Sequence, residues 1–136
     1  MAQAGWKAEY ATGIQQIDEQ HQRLFELLEQ LYDAIHQGQG RAESQERSVL
    51  EALVLYARTH FRCEEDLMRR HFYPGVTAHV EEHGKLVISL AEQVDLYKRG
   101  RLAPLKLALF IRDWIVNHML DDDQRAGAHL RSRGLR

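Results

Sequence analysis

Four segments of this chain repeat side chains of one kind three and four positions apart in alternation, which is the period of one face of an α-helix. From Asp18 to His36 the stripe is Ile17, His21, Leu24, Leu28, Leu31 and Ile35. A second runs Leu50, Leu53, Ala57, His60, Glu64 and Leu67, and a third Val76, His79, His83, Leu86, Leu90, Val94 and Tyr97. Gly84 interrupts the third, otherwise a good helix former. The fourth is Leu107, Ile111, Trp114 and His118. Each stripe must bury itself against other helices, and each carries a polar residue able to ligate a metal.

Gly- or Pro-bearing polar stretches separate the segments, at Gln37–Arg41, at Tyr73–Gly75, and at Lys98–Arg101 ahead of Pro104. Helices of about 20 residues, each roughly 30 Å long, with short connections predict an all-α, up-down-up-down antiparallel four-helix bundle. With 136 residues the chain makes one domain, 1–136. Within it, 1–17 is read as an N-terminal arm anchored by Trp6 and Tyr10, and 18–123 as the bundle. The segment 124–136, with four arginines and no acid, is read as a solvated, partly frayed basic tail.

Lys and Arg number 18 against 20 Asp and Glu, a net charge of −2, so no overall basic field argues for nucleic acid. No signal-peptide core or membrane-length apolar run occurs, and the single Cys63 fits a reducing compartment. A soluble, cytoplasmic protein without stable membrane insertion is expected. Periodicity shows no apolar face that demands a dimer, so a monomer is expected.

One buried histidine is ordinarily a core residue hydrogen-bonded to a carbonyl. Five in one core, with a carboxylate, are another matter. Each unsatisfied buried polar group costs about 1–3 kcal/mol, against a net stability of about 5–15 kcal/mol. Metal coordination satisfies all of them together. His60 with Glu64, and His79 with His83, stand at i and i+4, about 5–6 Å apart at Cβ, and His21 and His118 supply the other two helices. A mixed imidazole and carboxylate set points to iron rather than to a thiolate metal, and five histidines with two carboxylates exceed the needs of one ion. On the fourth helix, Asp121, Asp122 and Asp123 follow His118. Periodicity favours the first two, since a residue at +5 points about 140° away in an ideal helix. Asp123 could join only through a distorted backbone or a carboxylate that reaches across.

These residues resemble the hemerythrin family, in its single-domain bacterial form. The resemblance spans nearly the whole chain: Trp6, GIQQIDEQH at Gly13–His21, HFRCEEDLM at His60–Met68, YPGVTAHVEEH at Tyr73–His83 and WIVNHMLDDD at Trp114–Asp123. The family's pattern of a lone His, HxxxE, HxxxH and HxxxxD is complete, and it selects Asp123. The resemblance implies two non-haem irons bridged by Glu64, Asp123 and an oxo or hydroxo group. His79, His83 and His118 would complete one iron, while His21 and His60 ligate the other and leave a position open. Dioxygen would bind there end-on as a hydroperoxide, reversibly, making the protein an oxygen carrier, store or delivery agent rather than an enzyme, with an oxygen-consuming enzyme as candidate acceptor. Leu24, Phe61, Trp114, Ile115 and Met119 would line the oxygen pocket. Ile115 stands where leucine is common in the family and Met119 where isoleucine is.

Three other readings compete. His79–His83 also matches HxxEH, an inverted zinc-peptidase signature with Glu82 as base, but that leaves His21, His60, Glu64 and His118 buried without purpose. Ferritin-like oxidases use Glu-x-x-His pairs, and none occurs here. An oxygen or redox sensor acting through a separate partner, or a di-iron enzyme with peroxidase or nitric-oxide chemistry, is the alternative within the resemblance. Cys63 is read as a small core residue, and His36, His71 and His129 as solvated.

Overall fold

The computed structural model describes residues 5–37 and 42–136, the side chains of 42–44 excepted. Five helices follow a single 3-10 turn at Ala8–Tyr10: α1 (Gln15–Gln37), α2 (Ala42–Arg70), α3 (Val76–Lys98), α4 (Pro104–Leu120) and α5 (Asp122–Ser132). No strand occurs among the described residues. The first four form the expected four-helix bundle, in which α1 and α3 each pack on α2 and α4. Among the described residues no helix is long and apolar enough to cross a membrane. The Gly-rich connection expected ahead of α2 lies, at 38–41, outside the described residues.

Leucines of all four stripes meet in one core cluster, with Leu28, Leu53 and Leu107 among its most buried members. Pro104 opens α4 where its missing N–H costs nothing. Gly84 does not break α3, since it lies on the exposed side with open space around it. At the end of α3, Gly100 takes φ +74° and lets Arg101 N–H close back on the Leu96 carbonyl at 2.8 Å, a left-handed helix stop.

The first helix starts at Gln15, three residues before the expected Asp18. Asp18 serves the arm from within the first turn: its carboxylate accepts the N–H groups of Thr12 (2.8 Å) and Gly13 (3.1 Å) and the Thr12 hydroxyl (2.8 Å). The arm is anchored by the residues expected. Tyr10 is buried and stacks on Phe25 at 5.5 Å, and Trp6 meets Tyr10 edge-on at 6.5 Å.

The C-terminal segment departs from its expectation. It is no frayed tail, and a division at residue 124 would cut a helix. α5 buries Ala126, Gly127 and Leu130, and Leu130 joins Ile14, Ile17 and Leu67 in a second apolar cluster beneath the arm. Gly127 lets the helix approach the arm closely, because a Cβ would sit 3.0 Å from both the Cβ and the carbonyl oxygen of Thr12. The arginines that suggested a solvated tail find partners at its edge: Arg125 on Asp121 and Asp122, and Arg131 on the Thr12 carbonyl. His129 and His71, expected to be solvated, are half-buried, and His129 Nε2–H donates to the His71 carbonyl at 2.7 Å. His36 is exposed, with Nδ1 2.7 Å from the Tyr32 carbonyl oxygen.

Candidate metal centre

Each bundle helix contributes from its stripe. His21 comes from α1, His60 and Glu64 from α2, His79 and His83 from α3, and His118 from α4. Asp123 comes from α5, and it reaches the same point because the backbone breaks at Asp121 (φ −116°, ψ −81°), where the helical ladder stops and restarts. That break is the first of the two routes the spacing left open. All seven side chains are buried, Glu64 to 1 % exposure and Asp123 to 2 %.

The two carboxylates divide the histidines into two sets. Glu64 Oε1 lies 3.1 Å from His79 Nε2, 3.2 Å from His83 Nε2 and 3.9 Å from His118 Nε2. Its other oxygen, Oε2, lies 2.9 Å from His60 Nε2 and 3.3 Å from His21 Nε2. Asp123 repeats the division, with Oδ1 3.1 Å from both His79 and His118 and Oδ2 3.1 Å from His21. Two groups of donors result, Glu64 with His79, His83, His118 and Asp123, and Glu64 with His21, His60 and Asp123. Within each group the ligand atoms lie within 4.8 Å of one another. Glu82 belongs to neither; its side chain is 45 % exposed and lies 4.0 Å from Lys85.

The donors fit metal better than they fit one another. Both Asp123 oxygens are buried without a hydrogen bond, although three ring nitrogens stand 3.1 Å away. His83 and His118 bring their Nε2 atoms to 3.0 Å. Lone pairs that converge in this way, in a space where orphaned polar atoms are costly, suit a cation that accepts from all of them. Imidazole nitrogen with carboxylate oxygen and no thiolate suits iron.

The far ring nitrogens are occupied by residues that sequence reasoning did not assign. His60 Nδ1 meets Gln20 Oε1 at 2.6 Å, His83 Nδ1 meets Glu65 Oε2 at 2.8 Å, and His118 Nδ1 meets Asp122 Oδ2 at 3.1 Å. Each contact puts the proton on Nδ1 and leaves the Nε2 lone pair facing the centre. Asp122, one of the two aspartates that periodicity favoured, is thus beside His118 but on its outer side. Asp121 is exposed and pairs with Arg125.

Residues 12–130 match the hemerythrin HHE cation binding domain. The chain belongs to the hemerythrin family. Among its relatives, the bacteriohemerythrin of Methylococcus capsulatus is 34 % identical over 132 residues, covering 93 % of this chain and 96 % of that one. The bacteriohemerythrin of Pseudomonas aeruginosa is 33 % identical over 123 residues, covering 90 % and 78 %. A crystal structure of wild-type hemerythrin superposes with a TM-score of 0.82 at 33 % identity, covering 92 % of this chain and 95 % of that one. The hemerythrin bundle here surrounds its donors with aromatic rings. Phe61 stacks on His83 (4.1 Å, 16°), Trp114 stacks on His118 (4.8 Å, 13°), and the two aromatics meet edge-on at 5.4 Å. Leu24, Phe61, Ile115 and Met119 are buried in the main core cluster, and Trp114 packs against it. An opening not foreseen from the sequence lies between α2 and α3. It is a cavity of about 330 Å³ whose apolar wall includes Phe61, Val87 and Leu90 and whose charged lining is Arg58, Asp95 and Lys98, and a smaller one beside it reaches His83.

Without metal, the centre holds protons in its place. Burial alone would lower the pKa of His21, but Asp123 and Glu64 raise it to about 9. His79 is raised to about 9 and His118 to about 11 by the same two carboxylates against the same burial penalty. His60 goes the other way, because burial outweighs Glu64. Burial would push the carboxyls of Glu64 and Asp123 up, yet the facing histidines hold both below the usual carboxylate range.

A pH dependence follows. Histidines raised above 6.5 stabilise the metal-free bundle fully below pH 6.5, and that stabilisation is lost as pH climbs through about 9 to 11. The two depressed carboxyls act at the other limit. Their contribution is present above the ordinary carboxylate range and is lost as pH falls through their folded values. Metal-free protein should therefore unfold at progressively lower denaturant from pH 6.5 upward. Metal-loaded protein needs neutral imidazoles and should instead weaken as acid displaces the metal. Urea titrations of both forms across this range check the opposed slopes, and parallel slopes would contradict the account.

Proposed function

We propose that this chain binds dioxygen reversibly at a pair of non-haem irons, serving as an oxygen carrier, store or delivery protein. The observation that carries the reading is the division of Glu64 and Asp123 between a three-histidine set and a two-histidine set. Each carboxylate turns one oxygen to each histidine set, so Glu64 and Asp123 could both be shared by a pair of irons. An iron held by His21 and His60 would have one protein ligand fewer than one held by His79, His83 and His118, and would so be the one with room for dioxygen. A bound iron pair would supply electrons that dioxygen could borrow and return. Phe61, Trp114, Leu24, Ile115 and Met119 keep water away, so that borrowed electrons are not lost with a proton.

No side chain in this reading acts as a nucleophile or turns over a substrate, so the protein is proposed as a binder, active as a monomer in the cytoplasm. An oxygen-consuming enzyme is the proposed recipient of its cargo. The cavity between α2 and α3, which Phe61 helps to line, is the proposed way in for a small uncharged molecule.

The test is the iron content per chain, with the visible spectrum of anaerobically reduced protein followed through cycles of air and oxygen removal. Two irons per chain and a fully reversible change support the reading. One tightly held zinc, or a change that cannot be reversed, would sink it. His60→Ala should abolish the reversible change, while His36→Ala, at an exposed position, should leave it intact. An optical oxygen titration of the two variants reads the difference.

A further inference from the structure

The contacts behind the histidines are unequal. In the three-histidine set, His83 and His118 each present Nδ1 to a carboxylate, Glu65 and Asp122. In the two-histidine set neither ring does. His60 Nδ1 faces the neutral amide oxygen of Gln20 at 2.6 Å, and His21 Nδ1 is buried with no hydrogen-bond partner at all.

A carboxylate that accepts the Nδ1 proton draws it outward and leaves Nε2 a stronger electron donor, whereas a neutral amide does so weakly. The amide is also held in one orientation. Gln20 Nε2–H donates to Cys63 Sγ at 3.4 Å, a sulfur that accepts from Gln16 Nε2–H as well at 3.0 Å. With its NH2 group committed to the thiol side, Gln20 turns its oxygen to His60. This gives Cys63, read from the sequence only as a small core residue, a place in the centre's surroundings without making it a ligand.

We propose that Gln20 is a positioning residue that keeps His60 a weaker metal donor than His83 and His118, so that the metal held by His21 and His60 is the electron-poorer of the two. This rests on the two-iron reading above and deepens it. The electron-poorer metal is the one with the open position, and weaker donation there opposes permanent loss of its electrons while leaving the other metal well supported. Gln20 touches neither dioxygen nor metal and acts only through the His60 ring.

Two measurements on the whole 136-residue chain test this. In protein loaded with zinc, which is diamagnetic, the Nδ1 proton of His60 should resonate upfield of those of His83 and His118, as a proton shared with an amide does relative to one shared with a carboxylate. Gln20→Glu should move it downfield to join them. In iron-loaded protein the same substitution should shift the one-electron redox equilibrium towards oxidation by about tenfold, which is about 59 mV. Asp122→Asn, on the other set, should shift it the opposite way. Gln20→Leu, which removes the acceptor but adds no charge, should loosen metal binding without the shift towards oxidation.

A His60 proton that already resonates with those of His83 and His118 in the unaltered protein overturns the inference. So does a Gln20→Glu equilibrium equal to that of the parent, whatever happens to its stability. Metal counts keep this apart from the underlying reading. Fewer than two metals per chain in the unaltered protein refutes the two-iron centre, whereas two metals with an unmoved equilibrium refutes only the role of Gln20.

Discussion

Glu64→Gln should give a chain that no longer retains metal and that, without metal, unfolds more easily than the unaltered protein. The substitution keeps the shape of the side chain and removes its charge. Among the described residues, Glu64 is the carboxylate within 4 Å of all five histidines of the centre, so in the two-iron reading both metal positions would lose a ligand together. In the metal-free state it is also one of two anions that neutralise His21, His79 and His118. Removing one partner of a buried ion pair costs about 3–5 kcal/mol while the remaining charge persists. That loss should be largest below the ordinary histidine pKa of 6.5 and should shrink as the histidines give up their protons at higher pH. Metal analysis after dialysis, with urea unfolding at two pH values, checks both parts. Retention of two metals by Glu64→Gln would remove the bridging role.

Leu130→Ala should destabilise the protein by about 2–5 kcal/mol, the usual range for emptying a well-packed leucine site, and should also lower its metal content. Leu130 is fully buried against Ile14, Ile17 and Leu67, and it anchors the helix whose first turn presents Asp123. Loosening α5 therefore loosens Asp123, a proposed ligand seven residues away. A denaturation midpoint unchanged from the parent would mean that α5 contributes nothing to the bundle.

The two substitutions differ in how far they could be anticipated from the chain. Glu64 announces itself, because a carboxylate at the stripe position between His60 and Leu67 breaks an otherwise apolar period, and period survives into the folded helix unchanged. The same holds for the five histidines. Asp123 does not follow from period, since its reach depends on the break at Asp121, which no pattern of apolar residues encodes. It was legible only through the likeness to a family. Leu130 was hidden for a different reason: α5 packs through Ala126 and Gly127, whose small side chains leave little apolar signal between four arginines. Gln20 and Glu65 were invisible because each acts sideways across to a ring on another helix, His60 and His83, and such contacts have no spacing rule. The connection at 38–41 lies outside the described residues.

His21 and Asp123 stand near opposite ends of the chain, and the seating of Gly127 on Thr12 brings those ends to one place. A metal held by both residues is thus a cross-link closing a loop of roughly one hundred residues, a closure that would be worth about 4.7 kcal/mol if made by a disulfide. Such a link forms without a second cysteine and opens when the metal leaves. It also sets a condition on biosynthesis. Because Asp123 follows the other six donors along the chain, the donor set is complete only once synthesis has passed it and the helix that steadies it.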